Sequence, residues 1–225
     1  MVTSSFSEKV INWYELHGRH DLQWRKAITP YRIWISEIML QQTQVVTVKP
    51  YFKKFTKKYP TLKSIQDASE DEILTLWSGL GFYKRARNIF QTKEIIHSEH
   101  KGRFPKTFEE IIKLPGIGKS TAGAIMSIAH QIPTPILDGN VKRILQRYFS
   151  DGKNIFSEKE LWDLSLSVSN ATNSNLYTQG IMDIGATVCT PQNPECFRCP
   201  LSPNCDSAFL SCLLYTSDAA DDLGR

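Results

Sequence analysis

The chain has 225 residues, 41% apolar and 22% charged, which is enough to bury a core and too hydrophobic for a disordered polymer. No apolar run nears the ~20 residues a membrane helix needs, the first ten residues carry no export signal, and five cysteines without such a signal argue against a disulfide framework. Lys plus Arg outnumber Asp plus Glu by 27 to 23, a lean toward an anionic partner.

Taken in chain order, the pattern predicts helix after helix. Phe6, Val10, Tyr14 and His17 fall at helical spacing. Thr29-Pro30 has N-cap and N1 chemistry and predicts a helix through Ile33, Trp34 and Ile38 toward Val45. Pro50 is expected to open the next, with Phe52, Phe55 and Tyr59 on one face. Ser69 with Glu72, Thr107 with Glu110 and Ser157 with Glu160 have capping-box spacing, each ahead of an apolar run. Gly79, Gly81 and the Pro133/Pro135 pair read as stops. No alternating strand and no internal repeat is visible, so the expected class is all-α, many short helices around one or two cores. The last fifteen residues, Ser211 to Arg225, share none of this character; they resemble translated adapter sequence and are expected to be a non-native tail. Without them 26 basic residues face 20 acidic ones.

Four motifs carry chemistry. Cys189, Cys196, Cys199 and Cys205 are spaced C-x6-C-x2-C-x5-C in a loop stiffened by Pro191, Pro194 and Pro200. Four clustered thiolates suit zinc or an iron–sulfur cluster, and spacing alone does not separate the two. Leu114-Pro115-Gly116-Ile117-Gly118-Lys119-Ser120 forms a glycine turn running into a helix, whose outward N–H groups and positive end suit a phosphate. Such a contact positions a nucleic-acid strand without reading its sequence. Asp138, after the proline pair and before an apolar-periodic helix, reads first as an N-cap; a carboxylate there is also favoured in its charged form, as facing a developing cation requires. Glu37 lies between Ile35 and Ile38, either on a solvated face or partly buried, and Gln41, Gln42 and Gln44 beside Leu40 are amides able to contact and wedge between bases.

Hairpin, aspartate and cysteine loop follow one another as in the helix-hairpin-helix base-excision glycosylases, and C-x6-C-x2-C-x5-C is the spacing of that family's 4Fe-4S cluster. The stretch around Trp24-Arg25, Glu37 and Met39-Leu40-Gln41-Gln42-Thr43 resembles the adenine DNA glycosylase branch, with residues 6–208 in register. The resemblance implies a barrel-like helical domain at 29–134, holding the hairpin at 108–130, and a 4Fe-4S domain built from 1–28 and 135–210, with the active site between them. It implies double-stranded DNA with adenine opposite 8-oxoguanine or guanine as substrate, one 4Fe-4S cluster on the four cysteines, a monomer, and no membrane. The implied compartment is the cytoplasm in a prokaryote, or the nucleus or mitochondrion in a eukaryote.

For single residues it implies that Glu37 protonates the adenine and Asp138 stabilises the sugar cation, the two-carboxylate logic of glycoside hydrolysis. Trp24, Arg25, Leu40 and Gln179 then line the pocket of the extruded base. Gln42, Thr43 and Phe82 contact DNA near the opposing base, and Gly116, Gly118 and Ser120 contact its backbone. Phe82 stands where the branch usually has Tyr, so the ring is kept and the hydroxyl lost. Endonuclease III-type pyrimidine-lesion glycosylase/lyases carry a lysine nucleophile after the hairpin; here that position is Ser120, and Lys119 is turned about 100° away along a helix. A non-catalytic zinc-bound DNA-binding module is a third reading, and iron analysis discriminates it.

Overall fold

The computed structural model describes residues 2–150, 154–169 and 172–210; the proposed tail and Cys212 lie outside the described residues. Every regular element among the described residues is helical, as the all-α expectation requires. Cα packing divides the chain into two compact regions, Met1–Arg19 with Gln131–Arg225, and His20–His130. These joints fall at 19/20 and 130/131, where the sequence reading put them at 28/29 and 134/135.

The first region starts with α1 (Val2–His17), which buries Phe6, Val10 and Tyr14. The second region holds α2 (Gln23–Lys26), α3 (Pro30–Leu40), α4 (Val45–Lys58), α5 (Leu62–Ile65), α6 (Glu70–Trp77), α7 (Lys84–Ser98), α8 (Phe108–Ile111) and α9 (Lys119–Ala129). The chain then returns to the first region as α10 (Gly139–Phe149), α11 (Glu158–Val168) and α12 (Ser174–Thr187), followed by the cysteine loop with 3-10 turns at Cys196–Arg198 and Ser202–Asn204.

Region 20–130 is organised around α3. Thr29 caps it, accepting from Arg32 N, with Pro30 at N1 as expected. Tyr31, Ile33, Trp34, Ile35, Ser36, Ile38 and Met39 are all buried, so most of the helix surface is covered, by α4, α7 and α9. The small residues Ala122, Gly123 and Ala124 of α9 are buried too and admit a close approach. Two expectations need correction. The helix stops at Leu40 instead of running toward Val45, because Gln42 takes a left-handed φ of 54°. Pro50 does not open α4 but sits inside it: burial of Val48, Phe52 and Phe55 on one face outweighs the main-chain bond that proline removes. In the other region α12 packs on α1 and α10. Asp183 on α12, fully buried, accepts from Arg19 N at 2.9 Å and Arg19 Nε at 2.7 Å, fixing the end of α1. Gly185 lets α12 touch the start of α10, since a Cβ there would lie 2.5 Å from the Asn140 Cβ.

Candidate active site and cysteine loop

In region 20–130, Glu37 sits half-buried on α3 between the buried Ser36 and Ile38. Trp24 is buried on α2, edge-on to Phe52 with ring centroids 5.3 Å apart, and Arg25 beside it is half-buried. Arg32 donates through Nη2 to Gln23 O at 2.9 Å, which fixes that short helix against α3. Past Glu37, Leu40 and Thr43 are half-buried and Gln42 is exposed. Phe82, the other residue expected to meet DNA, is half exposed and also left-handed, φ 47°.

Arg85 brings these two loops together. It is buried on α7, donating through Nη1 to the carbonyls of Ile38 (3.1 Å), Met39 (2.7 Å) and Gln41 (2.5 Å) and through Nη2 to Gly81 O (3.2 Å). Its guanidinium lies over the rings of Trp77 and Phe82, 5.3 and 5.2 Å from their centroids. Burial pulls its pKa down to about 10, which leaves it charged at neutral pH. Sequence reading passed over Arg85, although it shares the buried stripe of α7 with Ala86, Ile89 and Ile96; a charge on such a stripe was the available signal. Gln41, one of the three amides after α3, makes a contact that its spacing does not announce: its Nε2 donates to Gly116 O at 3.1 Å and ties the loop after α3 to the hairpin.

The hairpin runs from α8 to α9. Gly116 has φ +78°, and a Cβ on it would meet Asn88 Nδ2 at 2.5 Å, so glycine is needed for both conformation and space. Gly118 caps α9, is exposed, and has nothing within 4 Å of a virtual Cβ, leaving its backbone approachable. Ser120 follows, half-buried, in the first turn.

In the other region, Asp138 caps α10 as read from the sequence, its Oδ1 accepting from Val141 N at 2.8 Å. Gln179 is buried on α12; its Nε2 bonds Asn175 Oδ1, and its Oε1 is buried with no hydrogen-bond partner. The four cysteines form no disulfide and border one recess of about 460 Å³, mouth included, together with Ile144, Tyr148 and Leu201. No three His, Cys, Asp or Glu side chains among the described residues close on a single ion. Burial, reinforced by the neighbouring cysteines, pushes the Cys199 thiol up to about 11 and Cys205 to about 12. Two arginines that the sequence did not flag hold the loop's main chain. Arg147 donates to Thr190 O and Pro191 O at 2.8 Å each and to Cys189 Sγ at 3.3 Å. Arg143 donates to Cys189 O at 2.8 Å and Gly185 O at 2.7 Å.

Among the described residues, then, every regular element is helical and a glycine turn with an approachable backbone joins α8 to α9. Residues 35–165 match the model of the HhH-GPD superfamily of base excision DNA repair proteins, and the chain belongs to that superfamily. Within it the chain is similar to the adenine DNA glycosylases of Buchnera aphidicola from Schizaphis graminum (51% identity over 205 residues, 89% of this chain and 58% of that one) and of Homo sapiens (38% identity, 90% and 39%). It spans about 58% of the length of the Buchnera relatives. Among solved structures it is similar to a thermostable thymine-DNA glycosylase (29% identity, TM-score 0.82, 92% of this chain and 96% of that one). It shares its fold with endonuclease III bound non-covalently to DNA (22% identity, TM-score 0.73, 90% and 92%). No helix among the described residues is long and apolar enough to cross a membrane.

Proposed function

We propose that the chain is the catalytic portion of a monofunctional adenine DNA glycosylase acting on adenine opposite 8-oxoguanine or guanine in duplex DNA. The observation that carries this reading is Glu37, a half-buried carboxylate on the apolar helix α3, combined with a hydroxyl and not an amine at Ser120. Glu37 is the acid: an apolar setting suits a carboxyl that must hold a proton until the adenine ring takes it. The protonated base departs with the electrons of the N-glycosidic bond, and the cation left on the sugar is faced by the Asp138 carboxylate, whose orientation the bond from Val141 N fixes. Water completes the hydrolysis. Gln179 offers its unpaired, buried Oε1 to the exocyclic amine of the extruded adenine. Trp24, Arg25 and Leu40 line the base's path, while Gln42, Thr43 and Phe82 fill the duplex. Gly116, Gly118 and Ser120 hold the backbone phosphate through main-chain N–H groups.

Cys189, Cys196, Cys199 and Cys205 fit one 4Fe-4S cluster: the four residues border one recess, and burial makes Cys199 and Cys205 poor thiolates unless a cationic group relieves the charge. When bound, the cluster would supply rigidity to the loop and no atom to the reaction.

The test is a single-turnover assay on duplexes with adenine opposite 8-oxoguanine, with and without alkaline work-up. Adenine release with strand breakage only after alkali is expected. Breakage without alkali at the yield of a lyase would replace this reading with the endonuclease III-type one.

A further inference from the structure

We infer that Arg85 is a positioning residue that sets the Gln42 and Phe82 loops as one unit, so that the two enter DNA together. The inference rests on the proposed glycosylase reading for what the loops do, but not for how they are held.

A buried guanidinium is costly unless its donors and charge are satisfied. Arg85 meets that demand through both terminal nitrogens, with main-chain carbonyls, and through its face, with rings; only its Nε has no hydrogen-bond partner. The carbonyls of Ile38, Met39 and Gln41 are the open end of α3 and the start of the Gln42 turn, where a cation is electrostatically favoured. The carbonyls of Leu80 and Gly81 belong to the turn that carries Phe82. The ring of Phe82 itself lies against the guanidinium. One planar fork therefore bridges two segments some forty residues apart, and each presents an exposed side chain from a left-handed backbone. A left-handed non-glycine residue is strained and persists only where its surroundings over-determine it. Here the same cation restrains both. Lysine cannot replace it: a single ammonium cannot span both turns and stack on a ring.

The experiment uses the whole chain and three variants, R85K, F82L and R85K/F82L. Amide exchange by mass spectrometry is followed at 41–43 and 79–83. R85K should speed exchange in both segments while α9 and α12 stay protected. F82L, a surface change, should speed exchange at 41–43, across the clamp. Single-turnover adenine release should fall about 10-fold in R85K, within the ~10²-fold that a 1 Å misplacement can cost. The double variant should be little slower than the worse single one, because both remove one interaction. Loosening of only one segment in R85K, no change at 41–43 in F82L, or rates that multiply in the double variant would each overturn the clamp. If wild-type protein releases no adenine yet both segments loosen in R85K, the clamp stands and the glycosylase reading fails. If it releases adenine and R85K exchanges like wild type, the reverse holds.

Discussion

Two irregular segments, one in each region, are held by the same device and end up differently. In region 20–130 the loops after α3 and before α7 hang from Arg85, whose contacts are carbonyls and rings supplied by the chain itself. In the other region Arg143 and Arg147 hold the carbonyls of Cys189, Thr190 and Pro191, yet the sulfurs that follow border a recess and none of the four cysteines is fully buried. The first segment is completed by its own side chains. The second puts four thiols around one recess, where burial disfavours the charge of Cys199 and Cys205, an arrangement that the proposed cluster would relieve. A loop can thus be finished by partners that are covalently part of the fold, as around Arg85, or be left with groups that the proposed cluster would finish.

The most drastic way to test whether the regions share one reaction is to neutralise one carboxylate in each. Glu37→Gln and Asp138→Asn should each lower single-turnover excision by at least ~10²-fold, the low end for general acid catalysis. Asn caps a helix about as well as Asp, so the second variant should melt like wild type, which separates chemistry from folding at a residue that serves both. Wild-type rates in either variant would remove that residue from the mechanism.

The next effect concerns the cysteine loop and the cluster proposed for it. Purified protein should carry about four irons per chain. Cys205→Ser should lose most of them, with faster amide exchange over 189–205 and unchanged protection in α3, α7 and α9. Stoichiometric zinc without iron, or loosening of both regions alike, would erase the contrast between the two segments.

The comparison also shows what could be read from sequence. Helix existence was legible because it depends on local chemistry: Thr29-Pro30, Ser69 with Glu72 and Ser157 with Glu160 each start a helix in the structure as their spacing predicts. Asp138 as an N-cap was legible for the same reason. The end of α3, the place of Pro50 and the role of Gln41 were not, because each is decided by residues distant in sequence. Arg85 lies 44 residues from the carbonyl of Gln41, and Gly116 lies 75 residues from the amide of Gln41. The chemistry-bearing types were visible by spacing; the cations that orient them were not, since one arginine in a helix resembles any other until its neighbours are known.

A smaller effect separates two glycines of the hairpin. Gly116→Ala should destabilise by about 1–3 kcal/mol, the usual cost of a strained left-handed residue, because its Cβ also meets Asn88. Gly118→Ala has an ordinary φ of −85° and open space around the added methyl, so it should fold normally and bind duplex DNA several-fold more weakly by obstructing a phosphate. Melting curves and a salt titration of DNA binding distinguish the two. Equal loss of stability would mean that Gly118 is structural, like its neighbour.

The smallest expected effect is acid sensitivity, and it falls unequally on the regions. The Lys58 ammonium, with Ser69 N–H, holds Glu72 below the usual carboxylate value. The Thr107 hydroxyl does the same for Glu110, and the Ser157 hydroxyl and N–H for Glu160. A carboxyl whose pKa is lowered by folding takes up its proton more readily in the unfolded chain. The stability it contributes is therefore present above its ordinary value of 4.5 and is lost as the pH falls through and below it. All three side chains are exposed, so salt screening keeps each contribution small. Two of them start helices in region 20–130 and one starts α11. Gln can keep the reach-back bond of a capping box but does not titrate in this range. Glu72→Gln with Glu110→Gln should therefore flatten the loss of Tm between about pH 5 and about pH 3 more than Glu160→Gln does. Thermal melts at low and high salt give the comparison, and the difference should shrink in salt. Were Glu160→Gln to flatten the acid limb as much as the pair, the region that carries the cysteine loop would be limiting in acid, and the stability contrast between the two halves of the molecule would run the other way.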